Sequence, residues 1–167
     1  TQSYVAEACP PDTVSFELTV KGLHGGHSGM DIHKGFANAN KVMNRLLFRA
    51  NERYGLRMVS LLGGSLRNAI PRESVAKVVI NKDKSSAFVA ELTQLVQAIK
   101  FEFATTEPIM EILVEQSDAV HAAVVPVSVQ ENLINSVYAA SNGVYRVSAD
   151  FEDLVETSNN IAKVEVG

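Results

Sequence analysis

VSFELTVKG, residues 14–22, alternates apolar and polar side chains at almost every step. Val14, Phe16, Leu18 and Val20 share one face, and the residues between them are polar or charged. This period of two residues is that of a β-strand with one buried face and one solvated face. The stretch therefore predicts the first strand of a sheet, and the segments that follow it determine the topology of that sheet.

Five further elements follow this strand. Helical periodicity predicts two amphipathic helices, and apolar runs bounded by glycine or proline predict three more strands. In chain order they are a helix over 33–53, a strand over 56–64, a strand from about 73 to 80, a helix over 85–105 capped by Ser85 or Ser86, and a strand over 108–116 opened by Pro108. The order β-α-β-β-α-β predicts an α+β fold, the ferredoxin-like sandwich, with strand order 4-1-3-2 and both helices on one face.

The last third of the chain predicts an appended part. We expect an apolar hinge, a helix near 128–140, a turn at 141–144 and a final strand around 161–166. On this interpretation residues 1–118 form the ferredoxin-like core, and residues 119–167 add a helix, a turn and a strand to the same unit.

The composition argues against several classes of function. The formal charge is −4, from 15 Lys and Arg against 19 Asp and Glu, so there is no basic footprint for nucleic acid. No segment approaches the ~20 apolar residues that span a bilayer. We therefore expect neither a nucleic-acid partner nor a membrane partner. Cys9 is the single cysteine, which is compatible with the cytosol. The chain starts at Thr1 and stops on a strand-like alternation, so we expect it to be a piece of a longer protein.

A glycine-rich stretch, GLHGGHSGMDIHKG (22–35), contains His24, His27 and His33. A zinc site is one interpretation, but it needs three or four converging ligands, and no second cluster supplies carboxylates at ligand-like spacing. A phosphate-binding loop is another, but neither common glycine-rich phosphate motif is matched. In a third, the bare backbone lets the His27 imidazole enter a neighbouring cavity and donate a hydrogen bond to an oxyanion. Residue chemistry alone favours a fourth, in which His27 closes a turn.

Four stretches carry a further signal: KGLHGGHSGMDIHKGFANANK (21–41), LLGGSLRNAIPRES (61–74), SNGVYRVS (141–148) and LVETSNNIA (154–162). Together they resemble the lid domain of the aminoacyl-histidine dipeptidases, a family also called peptidase D or cytosolic non-specific dipeptidases. The first two stretches are specific in order and spacing. The last two are typical of the dipeptidase branch.

The resemblance implies a metallopeptidase, a hydrolase of Xaa-His and other dipeptides. In this family two zinc ions and their ligands belong to a separate catalytic domain, so this chain is expected to bind no metal and to be inactive alone. His27 matches the lid histidine that reaches into the partner's active site and stabilises the oxyanion of the tetrahedral intermediate. Asn68 matches an asparagine that holds the substrate. The family's lid also has a further strand, which would lie beyond residue 167.

Four other polar residues receive no role from the resemblance. We expect His24 and His33 to be surface or loop-packing residues. Arg67 and Arg146 are candidate carboxylate binders, but a solvated surface arginine is the commoner outcome, and we expect that one. The resemblance implies a cytoplasmic protein. An alternative of another class remains: a stand-alone ferredoxin-like module that binds a small molecule or a partner, because this fold hosts many functions.

The resemblance also implies a homodimer, and the predicted sheet suggests where two copies meet. In the order 4-1-3-2, strand 56–64 is an edge, with apolar residues on both faces (Leu56, Met58 and Leu62 on one, Val59 and Leu61 on the other). Helix 34–53 carries asparagines on its outer face (Asn38, Asn40, Asn44 and Asn51). We predict that two copies join through 56–64, with helix 34–53 packing against its mate. The alternative is that the segment after residue 119 shields this edge.

Overall fold

The computed structural model describes residues 3–167. The helices are α1 (Ala39–Tyr54), α2 (Ser85–Glu102) and α3 (Val127–Ala139). The strands are β1 (Glu7–Ala8), β2 (Thr13–Lys21), β3 (Gly26–His27), β4 (Arg57–Gly63), β5 (Ala69–Ile70), β6 (Ser74–Asn81), β7 (Glu111–Ser117), β8 (Ala123–Val124), β9 (Gly143–Val147), β10 (Val155–Asn159) and β11 (Val164–Val166). Within residues 3–167, no helix has the length and apolar character needed to cross a bilayer.

The main sheet is antiparallel and has the strand order β11-β4-β6-β2-β7. β2 lies at its centre, where Leu18 is opposite Ala76 of β6 and Val114 of β7. Its four longer strands follow the ferredoxin-like order, so the predicted α+β fold is confirmed. Outside this sheet, β1 pairs with β8, β3 with β5, and β9 with β10.

The apolar face of β2 forms the centre of the core. Phe16, Leu18 and Val20 are at most 2% exposed. Helices α1 and α2 pack on this face, with Leu47 of α1 fully buried and Phe88 of α2 placing its ring 4.9 Å from that of Phe16. Full burial of side chains of this size stabilises the fold by about 1.5–3 kcal/mol each. The loops at the ends of these elements are thereby held on a rigid base.

The prediction that strand 56–64 is a free edge is wrong. β11 pairs with Leu61–Gly63 of β4. Further along the same strand, the backbone N–H of Val125 donates to the carbonyl oxygen of Met58 (2.8 Å). The segment after residue 119 therefore shields the edge, as in the alternative. A continuous sheet between two copies through β4 would have to displace β11, because the hydrogen-bonding groups of Leu61–Gly63 are already paired with that strand.

Helix α1 begins later than predicted, at Ala39 rather than at residue 33 or 34. Asn38 is its N-cap: the side-chain oxygen accepts hydrogen bonds from the backbone N–H groups of Asn40 (2.9 Å) and Lys41 (3.2 Å). A short 3-10 turn, Ile32–Lys34, precedes this cap. Asparagine favours this position because its oxygen satisfies N–H groups that have no partner within the helix.

The asparagine face of α1 is covered by the chain itself. Asn38, Asn40 and Asn44 are only 3–4% exposed. The amide of Asn44 donates to the carbonyl oxygen of Ile134 in α3 (3.0 Å), and that of Asn40 donates to the carbonyl oxygen of Ile161 (2.9 Å). The predicted packing of this face against a second copy is therefore wrong, because residues 134–161 already occupy it.

Smaller differences concern element boundaries. The residue that precedes α2 is Lys84, which makes no capping side-chain bond, so neither Ser85 nor Ser86 is the cap. β7 begins at Glu111 rather than at Pro108. The antiparallel ribbon of β9 and β10 was not predicted from the sequence.

Candidate active site

Two predicted site residues meet on a short ribbon. β3 pairs with β5, and His27 lies opposite Ala69. One residue further on each side, the backbone N–H of Ser28 donates to the carbonyl oxygen of Asn68 (2.9 Å). The chain therefore brings His27 and Asn68 together although 40 residues separate them in sequence, and both residues are exposed.

The ring of His27 is held through one of its two nitrogens. Nδ1 accepts hydrogen bonds from the backbone N–H groups of Gly29 (3.1 Å) and Met30 (3.3 Å). Because Nδ1 acts as an acceptor, a neutral ring must carry its proton on Nε2. Within residues 3–167 no protein group bonds to Nε2. His27 thus closes a turn with one nitrogen and keeps an N–H donor on the other.

Asp31 closes the same turn from its other side. Its Oδ2 accepts a hydrogen bond from the backbone N–H of His27 (2.7 Å), and its own N–H donates to the His27 carbonyl oxygen (2.8 Å). Oδ1 lies 2.7 Å from the ammonium of Lys34. The hydrogen bond from Lys34, followed by that from the His27 N–H, holds the pKa of the Asp31 carboxyl below its ordinary value. Sequence reasoning missed this residue, although its position four residues after His27 is a turn-like spacing.

The paired glycines before His27 are required by geometry. Gly25 and Gly26 have φ values of 65° and 137°, which side chains rarely adopt. A Cβ at Gly25 would lie 2.3 Å from Cγ of Arg72, and one at Gly26 would lie 2.8 Å from Oδ2 of Asp31. The bare backbone lets the His27 turn close against its own chain.

The backbone of Asn68 lies beside this turn. The residue is exposed, and its side chain bonds to no other group within residues 3–167. The main chain around it is fixed, since the N–H of Ala69 donates to the carbonyl oxygen of Leu66 (3.2 Å). Arg67, its neighbour, is also exposed.

The other predicted polar residues do not join His27. The ring of His24 stacks on that of Phe36 (4.8 Å between centroids, 4° between planes). His33 lies exposed in the Ile32–Lys34 turn. Arg146 of β9 pairs with Glu156 of β10 (2.8 Å). In the part of the chain that the structure describes, no three His, Cys, Asp or Glu side chains are grouped so that they could hold a metal ion.

The two later motif stretches meet at Asn38. Its Nδ2 donates to Oδ1 of Asn142 (2.9 Å) and to Oδ1 of Asn160 (3.0 Å). Asn160 in turn donates from its own Nδ2 to the carbonyl oxygen of Ala69 (2.7 Å), the ribbon residue opposite His27. Hydrogen bonds therefore connect both later stretches, residues 141–148 and 154–162, to the β3–β5 ribbon, here called the site ribbon.

This arrangement can be compared with known proteins. The family model described as the peptidase dimerisation domain matches residues 14–107, more than half of the chain. The chain belongs to this family. The matched part of this peptidase dimerisation domain includes both His27 and Asn68.

Two dipeptidases are similar to nearly the whole domain. The cytosol non-specific dipeptidase of Escherichia coli (strain K12) is 38% identical over 158 residues, which is 95% of this chain and 32% of that protein. The crystal structure of aminoacylhistidine dipeptidase from Vibrio alginolyticus matches with a TM-score of 0.92 and 36% identity, over 98% of this chain and 33% of that one. The resemblance predicted from the four stretches is confirmed. This peptidase dimerisation domain spans about a third of the length of these relatives.

Proposed function

We propose that this chain is the lid of a longer metal-dependent dipeptidase, in which His27 donates a hydrogen bond to the oxyanion of the tetrahedral intermediate and Asn68 holds the dipeptide. The observation that carries the proposal is the occupied Nδ1 of His27. Two backbone N–H groups bind that nitrogen, which leaves Nε2–H as a donor on an exposed ring. The names of the two dipeptidase relatives supply the reaction class.

The chemistry of the donor follows from the turn. Attack on a peptide carbonyl places negative charge on its oxygen, and a donor about 2.7–3.1 Å away stabilises that charge. Two hydrogen bonds to Nδ1 fix the ring before substrate arrives, so little reorganisation is needed when the charge develops. The glycines on both sides of His27 allow a substrate and a second protein body to approach closely.

Asn68 suits the neighbouring role. Its short side chain carries two donors and an acceptor. With its backbone fixed to that of Ser28, the exposed side chain of Asn68 can donate from its amide to the terminal carboxylate of a dipeptide while the oxyanion forms. Such a contact exists before and during the reaction, so we assign it mainly to substrate binding.

The two zinc ions that we propose for the complete enzyme have no fitting ligand set in the described part of this chain, residues 3–167. Among residues 3–167 there is no group of three or more potential ligand side chains. We therefore assign the ions to another part of the enzyme, and we assign this chain no hydrolytic activity of its own. When bound there, the ions would supply the nucleophilic hydroxide.

We also propose that the enzyme is a homodimer in the cytosol. The family is described as a dimerisation domain, and the E. coli relative is named as a cytosolic enzyme. The contact between copies would use surfaces other than the shielded strand β4 and the covered asparagine face of α1.

The test uses the complete enzyme and distinguishes the turn-closing role of Nδ1 of His27 from the donor role of Nε2. In His27→Asn the side-chain oxygen takes the place of Nδ1 and keeps the turn, but no donor stands where Nε2 was. We expect kcat to fall by about 10²–10³ with little change in KM, the usual effect of losing one oxyanion donor. His33→Asn is the matched control, with expected activity near that of the wild type. If His27→Asn keeps kcat within a few-fold, His27 is only a turn residue.

A further inference from the structure

A buried carboxylate lies beneath the loop that carries His27. The side chain of Glu107, between α2 and β7, has no exposed surface. Its Oε2 accepts hydrogen bonds from the backbone N–H of His24 (2.8 Å) and from Nδ1 of the His24 ring (3.2 Å). Its Oε1 accepts a hydrogen bond from the backbone N–H of Ala37 (2.9 Å).

These bonds join the two ends of one loop. His24 follows β2, and Ala37 precedes the cap of α1. Residues 24–37 are here called the His27 loop, and both ends of this loop donate hydrogen bonds to the carboxylate of Glu107. The loop contains Gly25, Gly26, Gly29 and Gly35. A chain so rich in glycine has many accessible conformations, and a tie at both ends removes much of that freedom.

The arrangement requires a carboxylate rather than an amide. The donors approach from two directions, and each direction ends on a different oxygen of Glu107. A glutamine has one oxygen, so its NH₂ group would face the N–H groups of either His24 or Ala37. A carboxylate buried in this way is tolerated because three donors satisfy it, and these charge-assisted bonds are stronger than neutral ones.

We infer that Glu107 is a positioning residue for His27, holding the ends of the His27 loop so that the turn at residues 27–31 keeps its place on the β3–β5 ribbon. Glu107 acts through the loop and does not touch substrate. This inference rests on the proposed function of His27. His24 then also has a role: its ring stacks on Phe36 and donates to the same carboxylate, which strengthens the tie.

The first experiment measures the loop itself in the 167-residue chain. In Glu107→Gln we expect amide hydrogen exchange at His24 or Ala37 to accelerate about 10-fold or more, the effect of losing a hydrogen bond to a charged group. The ¹⁵N shifts of the His27 ring should also move from a single Nε2–H tautomer toward a mixture. Glu102→Gln is the matched control, because Glu102 pairs with Arg45 on the surface and makes no bond to the loop. Unchanged exchange at both amides in Glu107→Gln overturns the inference.

The second experiment measures kinetics in the complete enzyme. Glu107→Gln should lower kcat about 10-fold or more while KM stays within about twofold, because the donor is misplaced in the transition state. Placed on His27→Asn, the same change should lower kcat no further. An equal loss in both backgrounds overturns the inference, because Glu107 would then act independently of His27. If His27→Asn alone has no effect, the proposed function fails, while the exchange experiment still decides whether Glu107 holds the loop.

A second variant covers the case in which Glu107→Gln does not fold. His24→Phe keeps an aromatic ring to stack on Phe36 and removes only the bond from Nδ1 to Glu107. We expect exchange at the backbone amide of residue 24 to be about two- to fivefold faster relative to its intrinsic rate, consistent with the loss of one partly exposed hydrogen bond. Exchange equal to that of the wild type would contradict the role of the ring.

Discussion

Asn38 provides a sharp test of how the appended segment is attached. Its side-chain oxygen caps α1, and its Nδ2 donates to Oδ1 of Asn142, to Oδ1 of Asn160 and to the carbonyl oxygen of Ile161 (3.2 Å). The orientation of this amide is unambiguous, because its oxygen meets only N–H groups and its nitrogen meets only oxygens. If Asn38 acts only as a helix cap, Asn38→Asp should keep the free energy of unfolding of the wild type. If the hydrogen bonds from Nδ2 also contribute, the variant should be less stable.

The magnitudes follow from these contacts. Asn38→Ala loses the cap, about 1 kcal/mol, and leaves Oδ1 of Asn160 without this donor at a partly buried position next to the buried Asn38 site, which costs about 1–3 kcal/mol more. We expect a loss of about 2–4 kcal/mol in the free energy of unfolding. Asn38→Asp keeps the capping oxygen but turns a carboxylate oxygen toward three acceptors. We therefore expect a loss of about 3 kcal/mol or more, because the second oxygen of a buried carboxylate would face acceptors and no donor.

The assay is urea unfolding of the 167-residue chain, analysed by linear extrapolation. Asn51→Asp is the control on the same helix. There the side-chain oxygen accepts a hydrogen bond from Nε2 of Gln130 (2.6 Å), which an aspartate also accepts, so we expect a change within about 1 kcal/mol. If Asn38→Asp is as stable as the wild type, Asn38 is only a helix cap, and the network that ties residues 142–161 to α1 has no energetic weight.

Three further predictions concern the site. Asn68→Ala in the complete enzyme should raise KM more than it lowers kcat, and an unchanged KM would count against a substrate-holding role. The 167-residue chain, dialysed to equilibrium against zinc and a weak chelator, should retain no stoichiometric zinc; one tightly held ion per chain would show a ligand set that we have not assigned. Because its folded pKa is lowered, the Asp31 tie should be fully present above the ordinary range of a free aspartate, about pH 4. It should be lost as pH falls further, through the folded pKa. A carboxyl NMR titration of Asp31 measures this midpoint, and a value at or above that of a free aspartate would contradict the tie.

Much of the fold was predictable because its signals are local. The alternation in 14–22 identified the central strand, and the order of elements then left few topologies, of which the observed one is the common right-handed solution. The faces of strand β4 were harder to predict. A register shift between Met58 and Ser60 places Leu61 on the buried face with Met58, whereas Leu62 remains 56% exposed. A strict period of two cannot predict such a bulge, so the predicted faces of this strand were partly wrong.

The asparagines of α1 misled for a different reason. Polar residues along one face of a helix usually indicate solvent or a wet interface. Here that face meets carbonyl and amide oxygens of residues 134–161, which are far away in sequence. The local sequence pattern shows that a residue is polar. It does not show whether a segment distant in sequence supplies the hydrogen-bond partners of that residue.

The candidate site could be located but not explained from sequence. The resemblance predicts His27 and Asn68 as site residues, and the β3–β5 ribbon accounts for the proximity of their backbones. Glu107 gave no signal, because a glutamate among loop residues ordinarily predicts a solvated side chain. Two of its three hydrogen-bond donors are backbone N–H groups, and every residue type except proline carries one.

The supports of the site ribbon come from separate parts of the chain. Asp31 closes the turn from within, Glu107 joins the ends of the loop from beyond α2, and Asn160 reaches the carbonyl oxygen of Ala69 from the appended segment. Because these contacts meet on the flanks of one short ribbon, a change in any of them alters the position of an exposed ring whose own contacts are few. In the proposed function the domain presents one histidine to a second protein domain, and that role requires such rigidity, since an error of about 1 Å in a donor's position can cost about 100-fold in rate. Through Asn160, the hydrogen bonds of Asn38 therefore help to hold the same β3–β5 ribbon that carries His27.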